Sequence, residues 1–262
     1  MPWLIRAIES RTSGAAGATL SLANERLRKL ILCLSGPAWV APIYSKPGAL
    51  GMGYAACVAI QYLFQTPIYM ARLDSASAAS LNRRLLRESL QLRGEDRTGR
   101  AWSALNYARG YTSYGSRCRL HKASPTFAEL ERRIARHVRR FARTLDLDLR
   151  GRRLVMTDCW VNIMQQGGVH GLHLHPLSTI SGTYYVRVPA GSAGLKFEDP
   201  RLERYMAAPP RRSRARAANR TWVTVGARAS RLVLFESWLR HEVPPNPARG
   251  QRVSVSFNYR WF

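Results

Sequence analysis

The closing stretch QRVSVSFNYRWF, residues 251–262, alternates Val253, Val255 and Phe257 with Arg252, Ser254, Ser256 and Asn258. A period of two belongs to a β-strand, whose successive side chains point to opposite faces, so the run predicts a strand with one apolar and one polar face. Working backwards, runs of similar length recur between Gly and Pro punctuation: RLVLFESW (231–238), TWVTV (221–225), GLKFED (194–199), STISGTYYVRV (178–188) and RLVMTDCWVNIM (153–164). Short strands at such spacing predict an all-β sandwich or barrel for residues 151–262.

Upstream the period changes to that of a helix. Ser124-Pro125 offers an N-cap with proline in the first turn, and Leu130, Ile134, Val138, Phe141 and Leu145 follow at helical steps. Arg132, Arg133, Arg136, Arg139, Arg140 and Arg143 form its outer, solvated face. An earlier helix is predicted after Asp74, an N-cap, with Leu81, Leu85, Leu86 and Leu90 as its stripe and Gly94 as its stop. Residues 93–116, RGEDRTGRAWSALNYARGYTSYGS, show no period and read as loop with short extended pieces, whereas QYLFQTPIYM (61–70) reads as a strand with Pro67 at an edge position. The chain thus divides into an N-terminal extension (1–60), a helical and mixed support region (61–150) and a β core (151–262), mainly β with flanking helices, α+β overall.

Composition narrows the function classes. The 262 residues are 46% hydrophobic, enough for a real core, which excludes wholesale disorder and collagen-like repeats. Lys and Arg total 41 against 16 acids, a net charge of +25, and 37 of the 41 are Arg. Such a field attracts polyanions, so a nucleic acid or another polyanion is a possible partner, with the Pro/Arg-rich insert APPRRSRARAANR (208–220) as a mobile surface loop, a lid or a contact. Arginine is spread along the whole chain without interleaved aromatics, which an Arg-rich genome would also produce. Cys33, Cys57, Cys118 and Cys159 contain no CxxC pair, which excludes a zinc ribbon and a dense disulfide framework and suits a reducing, cytoplasmic compartment. Residues 49–70 lack charges but carry Gly, Gln and Pro67, so no membrane partner is expected; the first 30 residues resemble a transit peptide or an over-extended start.

The chemistry concentrates in GGVHGLHLHP (167–176), which holds His170, His173 and His175, three of six histidines. If the chain around Leu174 is extended, His173 and His175 share a face, and paired imidazoles suit a divalent transition metal; satisfied structural histidines are the alternative. His241 follows a later strand, and Arg252 stands eleven positions after it on the last one. In a closed barrel these can converge in one mouth, where a buried Arg grips a carboxylate.

The ordered motifs WVN (160–162), HLHP (173–176), SGTYYV (181–186), GLKFEDPR (194–201), LFESWLRHEVPPN (234–246) and RVSVSFN (252–258) resemble the 2-oxoglutarate and Fe(II)-dependent oxygenases of the double-stranded β-helix (jelly-roll) fold, in a mostly uncharacterised bacterial subgroup. The resemblance implies that His173 and His241 ligate Fe(II) and that Arg252 pairs with the far carboxylate of 2-oxoglutarate as co-substrate, helped by Ser254. Tyr185 is a further candidate for that carboxylate, and Asn162 for the pocket. Where such enzymes commonly carry a carboxylate ligand this chain has His175, so the third ligand is His175, water, or a carboxylate from Asp199 or Glu236. Trp160, Trp238 and Phe257 would line the pocket. Hydroxylation of an unidentified protein or small molecule, with release of succinate and CO2, is the implied outcome. Two rivals remain: a non-catalytic β-barrel that binds partners through its Arg-rich surface, and a cupin-type three-His metalloenzyme without 2-oxoglutarate, against which Arg252 and the RxSxSFN ending argue.

Overall fold

The computed structural model describes residues 59–73 and 76–262. Cys33, Cys57, the Asp74 cap, residues 1–30 and the first part of the uncharged 49–70 stretch lie outside the described residues. Among the described residues no helix is long and apolar enough to cross a membrane.

The last strand, β10 (Arg252–Trp261), organises the unit Tyr62–Phe262. It pairs antiparallel with β3 (Leu154–Met164) on one side and β5 (Ile180–Arg187) on the other. With β1 (Tyr69–Arg72), β2 (Gly110–Thr112) and β8 (Arg231–Glu236) these make a six-stranded sheet in the order β1-β8-β5-β10-β3-β2. A second sheet runs β4-β9-β6-β7, from β4 (His170–His173), β9 (His241–Val243), β6 (Leu195–Glu198) and β7 (Trp222–Val225). Two antiparallel sheets and their flanking helices make up the mainly β, double-stranded β-helix architecture.

The two faces of β10 enter different interiors. Val253, Val255, Phe257 and Tyr259 join Val161, Ile163, Tyr184, Leu232 and Leu234 against helix α1 (Ala76–Glu95) and helix α4 (Pro125–Thr144). Helix α4 starts where predicted: Ser124 Oγ accepts from the Thr126 and Phe127 amides, and Leu130, Ile134, Val138 and Phe141 are its buried stripe, whereas Leu145, expected to continue it, is the C-cap. The opposite face of the large sheet contributes Met164, Tyr185, Val233 and Phe235, which meet Leu195, Phe197 and Val243 of the small sheet. Arg252, Ser254, Ser256 and Asn258 lie on this inner side, so the polar half of the alternation is buried as deeply as the apolar half.

Several expectations need correction. In α1 the buried positions are Ala78, Leu81, Leu85, Ser89 and Leu92, whereas Leu90 is exposed and Gly94 lies within the helix rather than ending it. The supposed loop at 93–116 contains helix α2 (Arg97–Asn106), started by Asp96, whose carboxylate accepts from the Gly99 amide at 2.9 Å and from Tyr111 Oη at 2.8 Å. Its signal is a cap rather than an apolar stripe, because little of it is buried. A strand does not occupy 61–70: β1 begins at Tyr69, at the edge of the large sheet, and residues 61–66 are exposed. Helix α3 is a single turn, Leu120–Ala123.

Ile134 is fully buried between α4 and the sheet, so Ile134→Ala should lower unfolding free energy by about 2–5 kcal/mol in urea titrations. Arg136→Ala on the solvated face should shift it by less than about 0.5 kcal/mol.

Candidate metal and anion site

The small sheet brings two histidines together directly. Strands β4 and β9 pair His173 opposite His241, and their rings lie 4.3 Å apart between centroids. His175, two residues beyond β4, is fixed by its amide donating to the Ser237 carbonyl at 2.9 Å; its ring lies 5.2 Å from His173 and 5.1 Å from His241. One ring nitrogen from each of His173, His175 and His241 falls within 4.8 Å of the others, so the three can hold a metal ion.

Each of the three commits its Nδ1 to an oxygen. His173 Nδ1 lies 2.7 Å from the Gly171 carbonyl, His241 Nδ1 3.0 Å from the Leu239 carbonyl, and His175 Nδ1 2.6 Å from Asn258 Oδ1 and 2.8 Å from Ser181 Oγ. A carbonyl oxygen only accepts, so each Nδ1 carries the proton and each Nε2 keeps its lone pair. Burial holds the rings neutral: it pushes His241 down to about 2 and His175 down to about 4, with the neighbouring His173 adding to both, and it lowers His173 as well. Neutral imidazoles with free Nε2 lone pairs fit a divalent transition metal.

The second feature is Arg252. It is only 2% exposed, its guanidinium carbon lies 4.9 Å over the Tyr185 ring, and its Nε has no hydrogen-bond partner. Among the described residues no carboxylate forms an ion pair with it. A pocket joins the two features, lined by the three histidines and Arg252 together with Asn162 and Ser254. Tyr185, Ser254 and Asn162 form one row across β5, β10 and β3. Tyr185 Oη and Asn162 Oδ1 are also buried without partners, whereas Asn162 Nδ2 donates to Ser256 Oγ at 3.0 Å. Unpartnered buried polar atoms around an uncompensated cation match a small carboxylate ligand, since leaving them empty costs several kcal/mol.

Residues 158–258 match the family model described as "Putative 2OG-Fe(II) oxygenase". That segment holds the whole small sheet, most of β3 and β10 of the large sheet and every histidine of the cluster. A prolyl-4-hydroxylase from Pseudomonas putida shares this fold at a TM-score of 0.50 and 15% identity, over 75% of this chain and 94% of that one. A 2OG-Fe(II) oxygenase family protein from Burkholderia pseudomallei aligns at 18% identity and a TM-score of 0.38, over 52% of this chain and 57% of that one. HygX from Streptomyces hygroscopicus, a structure with nickel, 2-oxoglutarate and hygromycin B bound, aligns at 16% identity and a TM-score of 0.48, over 74% and 83%. No curated protein matches the chain at a significant level.

The pocket does not include either alternative carboxylate. Asp199 is taken up by Arg201 and Arg204, at 3.0 and 2.7 Å, and by Tyr205 Oη at 2.9 Å, and neither Asp199 nor Glu236 lines the pocket. Trp160 lines it as expected, but Trp238 is 47% exposed and Phe257 packs in the helix-side core, because odd and even positions of β10 face opposite ways.

Two lining residues were given no role by the sequence. His170 stacks on His173 at 4.2 Å, and burial with the nearby histidines depresses it to about 3. Its spacing of three from His173 hides a shared face, and an irregularity in the β4–β9 register between the two supplies the missing step. Tyr107 follows α2, in the stretch taken for loop, and burial pushes its phenol up to about 12. A second groove shares His170, His173 and His175 with this pocket and is bordered by Trp102, Tyr107, Tyr114 and Trp160, with Asp158 and Arg260 as its charged residues.

In the unfolded chain these histidines titrate near 6.5, while His170, His175 and His241 fold with values near 2 to 4. Between those limits the unfolded state binds more protons, so stability rises with pH there. Metal-free protein should therefore be fully stable above about pH 6.5 and lose stability as pH falls toward 4. Urea midpoints measured across this window should show that loss, with a shallower slope for His175→Gln.

Proposed function

We propose that the protein is a non-haem Fe(II) and 2-oxoglutarate-dependent dioxygenase that hydroxylates a substrate held in the outer groove, with release of succinate and CO2. The observation that carries this reading is the buried Arg252 without a counter-charge, set in the same pocket as three neutral imidazoles. His173, His175 and His241 would hold Fe(II) through Nε2. Arg252 would pair with the distal carboxylate of 2-oxoglutarate, with Ser254 donating a hydroxyl hydrogen bond and Tyr185 and Asn162 as the further polar contacts beside it. Bound together, metal and co-substrate supply oxidative decarboxylation and the activation of O2.

The chain's own residues do the rest. The facing carbonyls at Gly171 and Leu239 hold two imidazoles in place before metal arrives, which lowers the cost of assembling the site. The inter-sheet apolar contacts of Phe197 and Phe235, 5.2 Å between ring centroids, seal the pocket wall next to His241 and exclude water. The outer groove is bordered by aromatic rings and carries one acid and one arginine. This composition suits a small organic molecule or a side chain better than a polyanion, which would need a run of cations.

The test is anaerobic reconstitution with Fe(II) and 2-oxoglutarate, followed by visible absorption and then by succinate formation in air. A weak metal-to-ligand band and succinate release are expected; absence of both would put the non-catalytic binding protein ahead. Arg252→Ala should weaken 2-oxoglutarate by about 100-fold or more, since the carboxylate loses its buried partner, and leave Fe(II) affinity nearly unchanged. Comparable losses of both would remove Arg252 from its assigned role. His175→Ala should abolish tight Fe(II) binding; retention would favour a two-His site completed by water.

A further inference from the structure

We infer that Asp158 and Asn258 form a hydrogen-bond relay that fixes the orientation and tautomer of His175, making Asn258 a positioning residue of the metal cluster. The inference rests on the reading of His175 as a ligand and deepens it.

The other two imidazoles are held locally. His173 and His241 each use the backbone carbonyl two residues earlier, Gly171 and Leu239. His175 follows β4 and instead takes its partners from the large sheet: Asn258 and Ser181, which face each other across β10 and β5. Asn258 is 6% exposed, so a wrongly turned amide there would leave a buried donor facing a buried donor.

The proton positions follow from what each group can do. Asp158 is the cross-strand partner of Asn258, and its Oδ2 lies 3.4 Å from Asn258 Nδ2. A carboxylate only accepts, so it takes the NH2 end of the amide and turns Oδ1 toward His175. Oδ1 also only accepts. It receives the His175 Nδ1 proton at 2.6 Å and the Ser181 hydroxyl proton at 2.8 Å. Ser181 has then spent its single proton, so toward His175 and toward Ser237 Oγ, 2.7 Å away, it is an acceptor. The Nδ1 proton is thus shared between Asn258 Oδ1 and Ser181 Oγ, and His175 Nε2 is left with its lone pair. Thr157 Oγ1 donates to the same Asp158 oxygen at 2.7 Å and steadies the carboxylate. A register shift in the β10–β3 ladder directly after Asn258 is the kind of irregularity that re-aims a side chain.

The relay also bears on charge. The cluster offers three neutral ligands where a carboxylate would have partly neutralised the metal. The carboxylate of Asp158 stands two hydrogen bonds behind His175, where it makes the imidazole a stronger donor without occupying a coordination position.

The experiment uses metal-free full-length protein titrated with Co(II) and followed by visible d–d absorption, which reads affinity and geometry without turnover. Asn258→Ala should weaken Co(II) binding 10- to 100-fold, the range for loss of a group that orients a ligand. Asp158→Asn should weaken it less, because the amide pair can then turn either way. The exchange Asp158→Asn with Asn258→Asp restores an acceptor to His175 and should recover most of the lost affinity, which a purely structural defect would not do. Wild-type affinity and spectrum in Asn258→Ala, with His175→Ala impaired, would overturn the relay alone; wild-type affinity in both would overturn the ligand role of His175. Nitrogen-15 NMR of the unaltered metal-free protein gives a measurement independent of variant folding: the Nδ1–H tautomer is expected at His175, and Nε2–H would refute the relay.

Discussion

A guanidinium sealed between two sheets with no acid beside it is the constraint around which the rest of this molecule is arranged. Arg252 begins β10, the strand that binds β3 and β5 into one sheet, and its side chain points to the inner side with those of Ser254, Ser256 and Asn258. An apolar core would reject four polar residues in a row. Two of them are tolerated because they find partners in the pocket, Asn258 with His175 and Ser256 with Asn162 and Thr183, while Arg252 Nε is left without one. An anion bound at Arg252 would convert a destabilising buried charge into a paired one and so would add to stability.

Histidine serves here because it can be buried neutral. Burial disfavours imidazolium, the neighbouring histidines add to the effect, and at His170 the Arg252 charge contributes as well. The result is a set of lone-pair donors available at neutral pH without a preceding proton loss. The same burial would make three carboxylates costly, whereas three imidazoles need only one acceptor each for their Nδ1 protons.

The legible part of this architecture was whatever repeats at a fixed period. The β10 alternation and the α4 stripe at Leu130, Ile134, Val138 and Phe141 carry it directly, because burial of one face imposes the spacing. Of the site, His173, His175, His241 and Arg252 were readable from motif order, and the pocket brings all four together. What escaped lacks a period. Helix α2 is held by the Asp96 cap and its tie to Tyr111, with little buried face. His170 reaches the cluster through a register irregularity, which no alternation rule anticipates. Phe257 was assigned to the pocket although its neighbours Ser256 and Asn258 take that face, an error the period itself forbids.

Arg252 and the facing histidine pair stand on different sheets. Arg252 belongs to β10 of the large sheet, while His173 and His241 belong to β4 and β9 of the small one. Their separation is therefore set by the apolar layer between the sheets, where Phe235 touches both Phe197 and His241. Interiors pack densely and yield little to strain, so this layer works as a spacer that sets the distance between the histidine cluster and Arg252. His175 is the exception that ties the halves together: its backbone hangs from Ser237, and its ring is gripped by Asn258 and Ser181 of the large sheet. Loss of packing at Phe197 or Phe235 would consequently disturb His241 relative to Arg252 while leaving His175 tied to the strand that carries the arginine.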